Sequence, residues 1–212
     1  MLLIMIVFVG ILVRVAWILI QKRIESRPQI SKPRSRKYKL LAVLGSGGHT
    51  TEMLTLLNPL IASARFSTSM IVAENDATSV ARIPSILKTD APYSIRTIPR
   101  IRNVGESLLV ALFRVPLAFF SALVLLLKSK PDLIIANGPG TCIPIIFAAF
   151  ILEVLGVHSS RTMFVESFCR VKTLSITGRI VYAFTDRFIL QWPPTAEIRR
   201  QYPRAKYLGV LL

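Results

Sequence analysis

Beyond residue 37, the chain alternates short apolar runs with longer segments in which apolar residues recur at helical spacing. The short runs predict strands at 40–44, 69–72, 94–98, 133–136, 163–166 and 187–190. The longer segments predict helices at 50–64, 78–87, 104–127, 142–155 and 175–185. Strands that alternate with helices are typical of a parallel sheet covered on both faces. The pattern therefore predicts an α/β fold, a Rossmann-like doubly wound parallel sheet, over residues 38–212.

Residues 1–20, MLLIMIVFVGILVRVAWILI, form a long apolar segment in which Arg14 is the only charged residue. A helix needs about 20 apolar residues to cross the hydrocarbon core of a bilayer. A cleavable signal peptide would have a basic start and a small-residue cleavage site, and this segment has neither. The sequence therefore predicts an uncleaved transmembrane anchor over residues 1–20.

A second long apolar segment, residues 107–127, is interrupted by Arg114 and Pro116. If it crossed the membrane, it would place the predicted strands at 40–44 and 133–136 on opposite sides of the bilayer and destroy the sheet. We therefore expect a helix that packs on the sheet and lays its excess apolar surface against the bilayer. Residues 142–157 are also apolar but short, and they predict a buried core helix.

The composition is consistent with contact to a membrane and to anions. Apolar residues make up 52% of the chain, the mean hydropathy is +0.55, and the formal net charge is +16. Residues 21–37 carry a run of Lys and Arg against Glu25 alone, which predicts a basic linker. By the positive-inside rule this linker is cytosolic, and it would lie near anionic headgroups. A nuclear-localisation or nucleic-acid role for the same run is the weaker interpretation, because the adjacent membrane anchor already accounts for the basic residues.

The most informative polar segment is Gly45, Ser46, Gly47, Gly48 and His49, where the first predicted strand ends and a helix begins. A helix N-terminus presents unpaired N–H groups and partial positive charge, and glycine lacks the Cβ that would hold an anion away. The loop matches neither a Walker A motif nor a complete G-x-G-x-x-G fingerprint. It predicts a phosphate or diphosphate site, and the alternative is a tight turn without a ligand.

Other chemically useful side chains follow neighbouring strands, so we expect them at the same carboxyl edge of the sheet. Asp76, His49 and Glu74 are candidates for a general base, and Glu52 could orient His49 or a sugar hydroxyl. Each carboxylate also has a structural alternative. Glu52 could cap the first turn of its helix, and Glu74 and Asp76 could begin the helix at 78–87.

Two later segments complete the predicted cleft. Asn137 and Gly138 end the fourth predicted strand, and their turn could add backbone amides to the diphosphate site. Glu166 and Arg170 follow the fifth strand, and an arginine there suits a phosphate. The two cysteines form neither a disulfide framework nor a metal motif, which indicates a reducing compartment. We expect no metal and no cofactor.

Three segments together resemble one family: GSGGHTTEM at 45–53, NGPG at 137–140 and FVESFCRVKTLSITGRIVYAFTDRFILQWP at 164–193. They are similar to the membrane-anchor subunit of the UDP-N-acetylglucosamine transferase of dolichol-linked oligosaccharide synthesis. The long last segment is specific, whereas the glycine loop alone is not. A more distant resemblance to the acceptor-binding half of the bacterial lipid II glycosyltransferase implies half of a GT-B fold.

The resemblance implies a heterodimer on the cytosolic face of the endoplasmic reticulum. This chain would be its single-pass anchor and would bind the acceptor, GlcNAc-diphospho-dolichol, while a soluble subunit holds UDP-GlcNAc. Residues 45–49 would line the acceptor diphosphate, with Asn137, Gly138 and Glu166 near the cleft. The soluble subunit would dock at the end of the chain, on Gly209, Val210, Leu211 and Leu212.

The length supports this division of labour, because residues 38–212 suffice for one of the two Rossmann-like domains of a GT-B enzyme. We therefore expect the chain to be inactive alone and the reaction to be an inverting glycosyl transfer. Two alternatives remain open: a bacterial-type polysaccharide glycosyltransferase subunit with an undecaprenyl-diphosphate acceptor, and a non-catalytic membrane scaffold. A nucleic-acid binder is disfavoured, because the basic segments lack interleaved aromatic residues.

Overall fold

The computed structural model describes residues 2–24, 36–87, 91–101, 108–138 and 140–209. Its strands are β1 (Tyr38–Val43), β2 (Phe66–Ala73), β3 (Tyr93–Ile98), β4 (Leu133–Asn137), β5 (Arg161–Val165), β6 (Arg187–Leu190) and β7 (Ala205–Tyr207). They form one sheet in the order β3-β2-β1-β4-β5-β6-β7, and every neighbouring pair is parallel. The predicted doubly wound α/β fold is confirmed.

The helices are α1 (Leu2–Arg23), α2 (Gly48–Ala62), α3 (Ala77–Ile86), α4 (Leu108–Ser129), α5 (Cys142–Val154), α6 (Ile176–Val181) and α7 (Ala196–Gln201). Two apolar cores form on opposite faces of the sheet, one beneath α2 and α3 and one beneath α4 and α5. The predicted strands and helices are present with shifted ends, and residues 104–107 of one predicted helix lie outside the described residues. We did not predict α7 or β7, because neither contains an apolar run.

The order of the strands determines where a ligand can enter. β1 and β4 are neighbours in the middle of the sheet, with Leu41 opposite Ile134 and Val43 opposite Ala136. The chain winds outward from this pair in both directions. In doubly wound sheets such a switch point opens a crevice at the carboxyl ends of the strands. The loops after β1, β4 and β5 meet at this edge.

Helix α4 packs on the sheet as predicted. Its small and apolar inner residues Ala118, Ala122 and Leu126 are buried, and the pairing of β1 with β4 keeps both ends of the helix on one side of any membrane. Phe113 and Phe120 remain exposed on its outer face, and their contact with a bilayer stays a prediction. Helix α5 is buried along most of its length, which confirms a core helix.

Helix α1 is docked on the domain at its C-terminal end. Lys22 is only 1% exposed, and its Nζ lies 3.3 Å from Glu153 Oε2 and 3.2 Å from Asp186 Oδ2. We call Lys22, Glu153 and Asp186 the anchor cluster. Helix α1 is long and apolar enough to cross a membrane over Ile4–Arg23, so it extends past the predicted limit at residue 20. The division of the chain at residues 20 and 37 stays a prediction.

Candidate functional site

The loop after β1 has a buried base and an exposed rim. Gly45 is buried, and its carbonyl accepts a hydrogen bond from the Thr50 hydroxyl, which lies 2.7 Å from the Ser79 hydroxyl. Ser46, Gly47 and Gly48 are exposed. The base of the loop is therefore fixed by side chains from α2 and α3, and residues 46–48 form the part that a ligand could reach.

The exposed rim of the loop leaves the first turn of α2 open. Gly47 has a φ of +67°, which favours glycine, and a Cβ at Gly47 or Gly48 would meet nothing within 4 Å. Because Gly47 has no side chain, α2 begins without a side-chain cap. Backbone N–H groups at such a helix start attract an anion.

Beside the loop, four polar side chains from α2, β4 and the end of β5 form what we call the site cluster, which consists of His49, Glu52, Asn137 and Ser167. Asn137 Nδ2 donates to Glu52 Oε2 at 3.0 Å, and the Ser167 hydroxyl donates to Glu52 Oε1 at 3.0 Å. His49 Nδ1 lies 3.1 Å from Asn137 Oδ1 and 3.8 Å from Glu52 Oε2. The cluster joins the start of α2 to the carboxyl ends of β4 and β5.

The hydrogen bonds of Asn137 define the tautomer of neutral His49. The amide nitrogen of Asn137 donates both to Glu52 and to the Val165 carbonyl at 3.2 Å, and those partners only accept. The amide oxygen must therefore accept the hydrogen of His49 Nδ1. The lone pair of the neutral ring then lies on Nε2, which has no hydrogen-bond partner in the part of the chain that the structure describes.

The site cluster also changes the acidity of its two titratable groups. The Glu52 carboxylate beside the ring raises the pKa of His49 above its ordinary value, although burial works in the opposite direction. Burial alone would raise the pKa of Glu52, but the nearby His49 ring and the hydrogen bonds from Asn137 and Ser167 lower it below its ordinary value. The pair therefore favours a charged His49 next to an ionised Glu52.

Gly138 holds the His49 ring in place. It is buried with a φ of +110°, and a Cβ added to it would lie 2.9 Å from His49 Cγ. Only glycine lets the backbone after β4 approach the imidazole this closely. Gly138 is therefore placed beside the histidine, with little room to contact a ligand directly.

The two other predicted bases lie in different surroundings. Asp76 is buried and caps α3, since its carboxylate accepts from the Ser79 amide at 3.1 Å and the Ser79 hydroxyl at 2.7 Å. Arg100 Nη2 lies 3.7 Å from the same carboxylate. Glu74 is exposed at the end of β2. Their catalytic roles stay predictions, and the geometry gives Asp76 a structural role as well.

Glu166 and Arg170 flank the site cluster at different depths. Glu166 is buried, and its carboxylate accepts from the Ser167 amide at 3.0 Å and from the Ser175 amide at 2.9 Å. It thereby fixes the start of α6, below the surface of the cleft. Arg170 is exposed, and its side chain has no partner among the residues described by the structure.

Two features of the site escaped the sequence analysis. Arg82 of α3 donates to the Gly47 carbonyl at 2.8 Å, which brings a cation over the glycine loop. Phe168 and Trp192 form an aromatic pair with ring centroids 4.7 Å apart, and the Phe168 amide donates to Glu52. Arg82 lies in the middle of α3 and belongs to no sequence motif, so nothing in the sequence marked it as a site residue. Trp192, in contrast, lies in the 164–193 segment that the sequence analysis identified as specific, so it could have been proposed as a site residue.

The predicted docking residues are only partly described. Gly209 follows β7, at the edge of the sheet opposite β3, and its φ is +95°. Val210, Leu211 and Leu212 lie outside the described residues. Within residues 2–24, 36–87, 91–101, 108–138 and 140–209, no group of three or more metal-ligating side chains occurs. The expected independence from a metal stays a prediction.

Comparison with protein families gives a match over nearly the whole domain. The family described as "Oligosaccharide biosynthesis protein Alg14 like" matches residues 40–211. The mouse protein "UDP-N-acetylglucosamine transferase subunit ALG14" is 40% identical over 181 residues, which is 81% of this chain and 82% of the relative. The subunit of the same name from Yarrowia lipolytica is 38% identical, over 88% of this chain and 84% of its own.

Solved structures share the fold at low sequence identity. MurG of Acinetobacter baumannii aligns with a TM-score of 0.54 and 18% identity, over 74% of this chain and 42% of its own. UDP-GlcNAc 2-epimerase of Neisseria meningitidis, solved with UDP-GlcNAc, aligns with a TM-score of 0.57 and 14% identity, over 82% and 47%. This chain therefore spans less than half the length of either protein.

Proposed function

The chain belongs to the Alg14 family of oligosaccharide biosynthesis proteins, and from this premise we propose that it is the membrane-anchoring, acceptor-binding subunit of a heterodimeric UDP-GlcNAc transferase. The enzyme adds the second GlcNAc to GlcNAc-diphospho-dolichol on the cytosolic face of the endoplasmic reticulum. Relatives that are 38–40% identical carry the name of a UDP-N-acetylglucosamine transferase subunit, which supports the reaction class. The acceptor and the step are our inference.

The acceptor diphosphate binds at the exposed rim of the glycine loop. Gly47 and Gly48 leave open space above the first turn of α2, and Arg82 places a guanidinium over the same loop. Amides at a helix start and a nearby arginine together suit a diphosphate. In this proposal Gly45 supports the loop from below, Ser46 lines it, and Arg170 approaches from the end of β5.

His49 is the base that the geometry favours. In the neutral ring, Nε2 carries the lone pair and the Nδ1 hydrogen is held by Asn137. In the transfer step, the 4-hydroxyl oxygen of the acceptor sugar forms a bond to the anomeric carbon of the donor. The bond between that carbon and the UDP oxygen breaks, UDP leaves, and the hydroxyl proton passes to His49 Nε2. Asp76 and Glu74 remain the alternative bases, and Glu52 stabilises the imidazolium that forms.

The donor site comes from a second, soluble subunit. This chain provides one parallel sheet and covers 42% of MurG and 47% of the epimerase, which supports a second domain supplied in trans. We propose that the soluble subunit docks at the β7 edge, through Gly209 to Leu212. Leu208, directly before this segment, is exposed and apolar, which suits an interface better than open solvent.

The single observation that carries this proposal is the family match over residues 40–211, which includes the glycine loop and the site cluster. The test is to co-express the chain with its soluble subunit and to measure GlcNAc transfer from UDP-GlcNAc to a short-chain GlcNAc-diphospho-polyprenol. Each protein is also assayed alone. We expect transfer only from the complex, and transfer by this chain alone would contradict the proposal.

Gly48→Leu separates an acceptor-binding subunit from a scaffold. A Cβ at Gly48 meets nothing within 4 Å and needs no strained φ, so we expect the fold to be preserved while the anion site is blocked. We expect lost transfer with normal recruitment of the soluble subunit. Thr55→Leu, at an exposed position two turns along α2, is the control and keeps both. A scaffold would keep transfer in both variants.

A further inference from the structure

The C-terminal half of α1 contacts the domain along one stripe, with a spacing of four residues. Arg14 Nη2 donates to the Glu153 carbonyl at 3.2 Å, Ile18 is buried against Phe150 and Val154, and Lys22 lies in the anchor cluster. Residues four apart occupy the same face of a helix. The stripe therefore begins at Arg14, in the middle of α1.

The docked stripe leaves a short free segment. Residues 2–13 of α1 precede it, and about 12 residues of helix measure roughly 18 Å. The hydrocarbon core of a bilayer is about 30 Å thick. The free part is thus about 12 Å too short to cross. If α1 spans the bilayer, the part of the domain that contacts its docked half has to lie at membrane depth.

We propose that the turn at the end of α5, Leu155-Gly156-Val157, is inserted into the lipid bilayer beside α1. The domain would then be partly sunk in the membrane, and the basic segment after α1 would not hold it at a distance. This inference rests on the proposed function only in taking α1 as the membrane anchor. The occupant of the surface is lipid hydrocarbon and the adjoining headgroup layer.

The surface of the turn is suited to lipid. Leu155 and Val157 are 60% and 53% exposed, and they stand next to α1, because Gly156 lies against the Arg14 guanidinium. Trp17 of α1 is also exposed, and it lines the same cavity as Arg14 and Gly156. These side chains extend the apolar surface of the anchor onto the domain, which is the continuity that an inserted turn requires.

The N–H groups of the turn are paired within the protein, which lowers the cost of placing its backbone in a bilayer. Irregular backbone is tolerated at membrane depth only where its polar groups are paired within the protein. The amides of residues 155–158 donate to carbonyls of α5: Leu155 to Ile151, Gly156 to Glu153, and Val157 and His158 to Leu152. Gly156 makes this closure possible with a φ of +71°, as at many helix C-termini.

The charge of Arg14 is also accounted for at this depth. An arginine within a transmembrane helix is costly when it faces lipid, and such residues usually pair with other groups or with backbone carbonyls. The Arg14 guanidinium donates to the carbonyl of Glu153, in the last turn of α5, where the helix dipole favours a cation. The domain thus supplies the partner that Arg14 needs below the membrane surface.

The test measures depth by quenching of an NBD fluorophore with spin-labelled lipids. Full-length protein with Cys169→Ser, which leaves only the buried Cys142, receives Val157→Cys and is reconstituted into phosphatidylcholine liposomes. Val9→Cys reports on the free part of α1. Val80→Cys, an exposed apolar position on α3, is the matched control on the other face of the sheet. Leu155→Cys replaces Val157→Cys if the latter misfolds.

We expect a blue-shifted, quenched signal at Val157 with lipids labelled near the top of the acyl chain, and none at Val80. Val9 should be quenched by lipids labelled deep in the chain. Quenching at Val9 combined with a solvent-like signal at Val157 would overturn this inference and leave the anchor intact. A solvent-like or only shallowly quenched signal at Val9 would overturn the anchor and the inserted turn together.

Discussion

The anchor cluster and the site cluster are both polar and both join distant parts of the chain, but only the site cluster is open to solvent. In the anchor cluster, Lys22 is 1% exposed and its ammonium group lies between two carboxylates. In the site cluster, 31% of the His49 side chain is exposed, and Nε2 of the ring has no partner among the described residues. A closed cluster fixes architecture, whereas an open one leaves a group available for chemistry.

The largest effect in this comparison is expected for Lys22→Met. Removing one partner of a buried ion pair costs about 3–5 kcal/mol of stability, although Arg161 Nη1, 3.8 Å from Asp186 Oδ1, still faces one of the two carboxylates. Both Glu153 and Asp186 would lose their shared cation. The free energy of unfolding, measured by denaturant titration of the full-length protein in detergent, should fall by that amount.

Arg23→Met is the control for Lys22→Met, since Arg23 is the next residue of α1 and is exposed. Its stability should stay within about 0.5 kcal/mol of the native protein, as for most surface substitutions. Equal unfolding curves for the two variants would mean that the anchor cluster contributes nothing to docking.

The sequence allowed the site cluster to be predicted better than the anchor cluster. Strand ends in a parallel sheet meet at one edge, so the positions of His49, Glu52 and Asn137 after their strands were enough to place them near one another. Lys22 instead follows an apolar segment in a basic run, and the positive-inside rule explains such residues without a buried partner. Asp186, whose carboxylate Lys22 contacts, is 164 residues away in the sequence. No local sequence pattern links the two residues.

The detailed geometry of the site could not be predicted from the sequence either. Asn137 defines the tautomer of His49 through two hydrogen bonds whose directions depend on side-chain placement. Arg82 reaches the glycine loop only because α2 and α3 pack side by side. Asp76 was predicted as a candidate base, with the start of a helix as the alternative, and only the structure reveals its cap on α3.

A smaller effect is expected for Gly138→Ala, which disturbs the site cluster from beneath. The new Cβ would lie 2.9 Å from His49 Cγ, at a residue whose φ is +110°. Strain of this kind costs about 1–3 kcal/mol, so we expect lower stability and slower transfer. Gly140→Ala is the matched control, because its Cβ would lie 3.9 Å from Ile101 without a positive φ. The idea fails if both variants keep native stability and activity.

Asp76→Ala should cost about 1 kcal/mol, the typical value for losing a helix N-cap, while Glu74→Ala at an exposed position should be neutral. Thermal unfolding and transfer assays of both variants separate structure from chemistry. We expect Asp76→Ala to reduce transfer no more than its stability loss explains. Abolished transfer in a stable Asp76→Ala protein would identify Asp76 as the base and reduce His49 to a supporting role.

The smallest effect concerns pH and follows from the shifted pKa values of the site cluster. The pKa of His49 is raised, so its contribution to stability is fully present below the ordinary value of 6.5 and is lost as the pH rises through the folded-state pKa. The pKa of Glu52 is lowered, so its contribution is present above the ordinary value of 4.5 and is lost as the pH falls through the folded-state pKa. The pair therefore stabilises the fold most in the mildly acidic range between these values.

Glu52→Gln tests whether this coupling serves catalysis. The variant removes the neighbouring carboxylate that raises the pKa of His49, so an NMR titration of the ring should move to lower pH. If neutral His49 is the base, transfer by the complex rises with pH as the ring loses its proton, and the rise should shift in the same direction in Glu52→Gln. Glu197→Gln, on α7 and bonded only to Gln201 among the described residues, should leave both curves in place. A titration that moves while the activity profile stays fixed would show that the open side of the site cluster binds or orients the acceptor, and that the proton goes to another group.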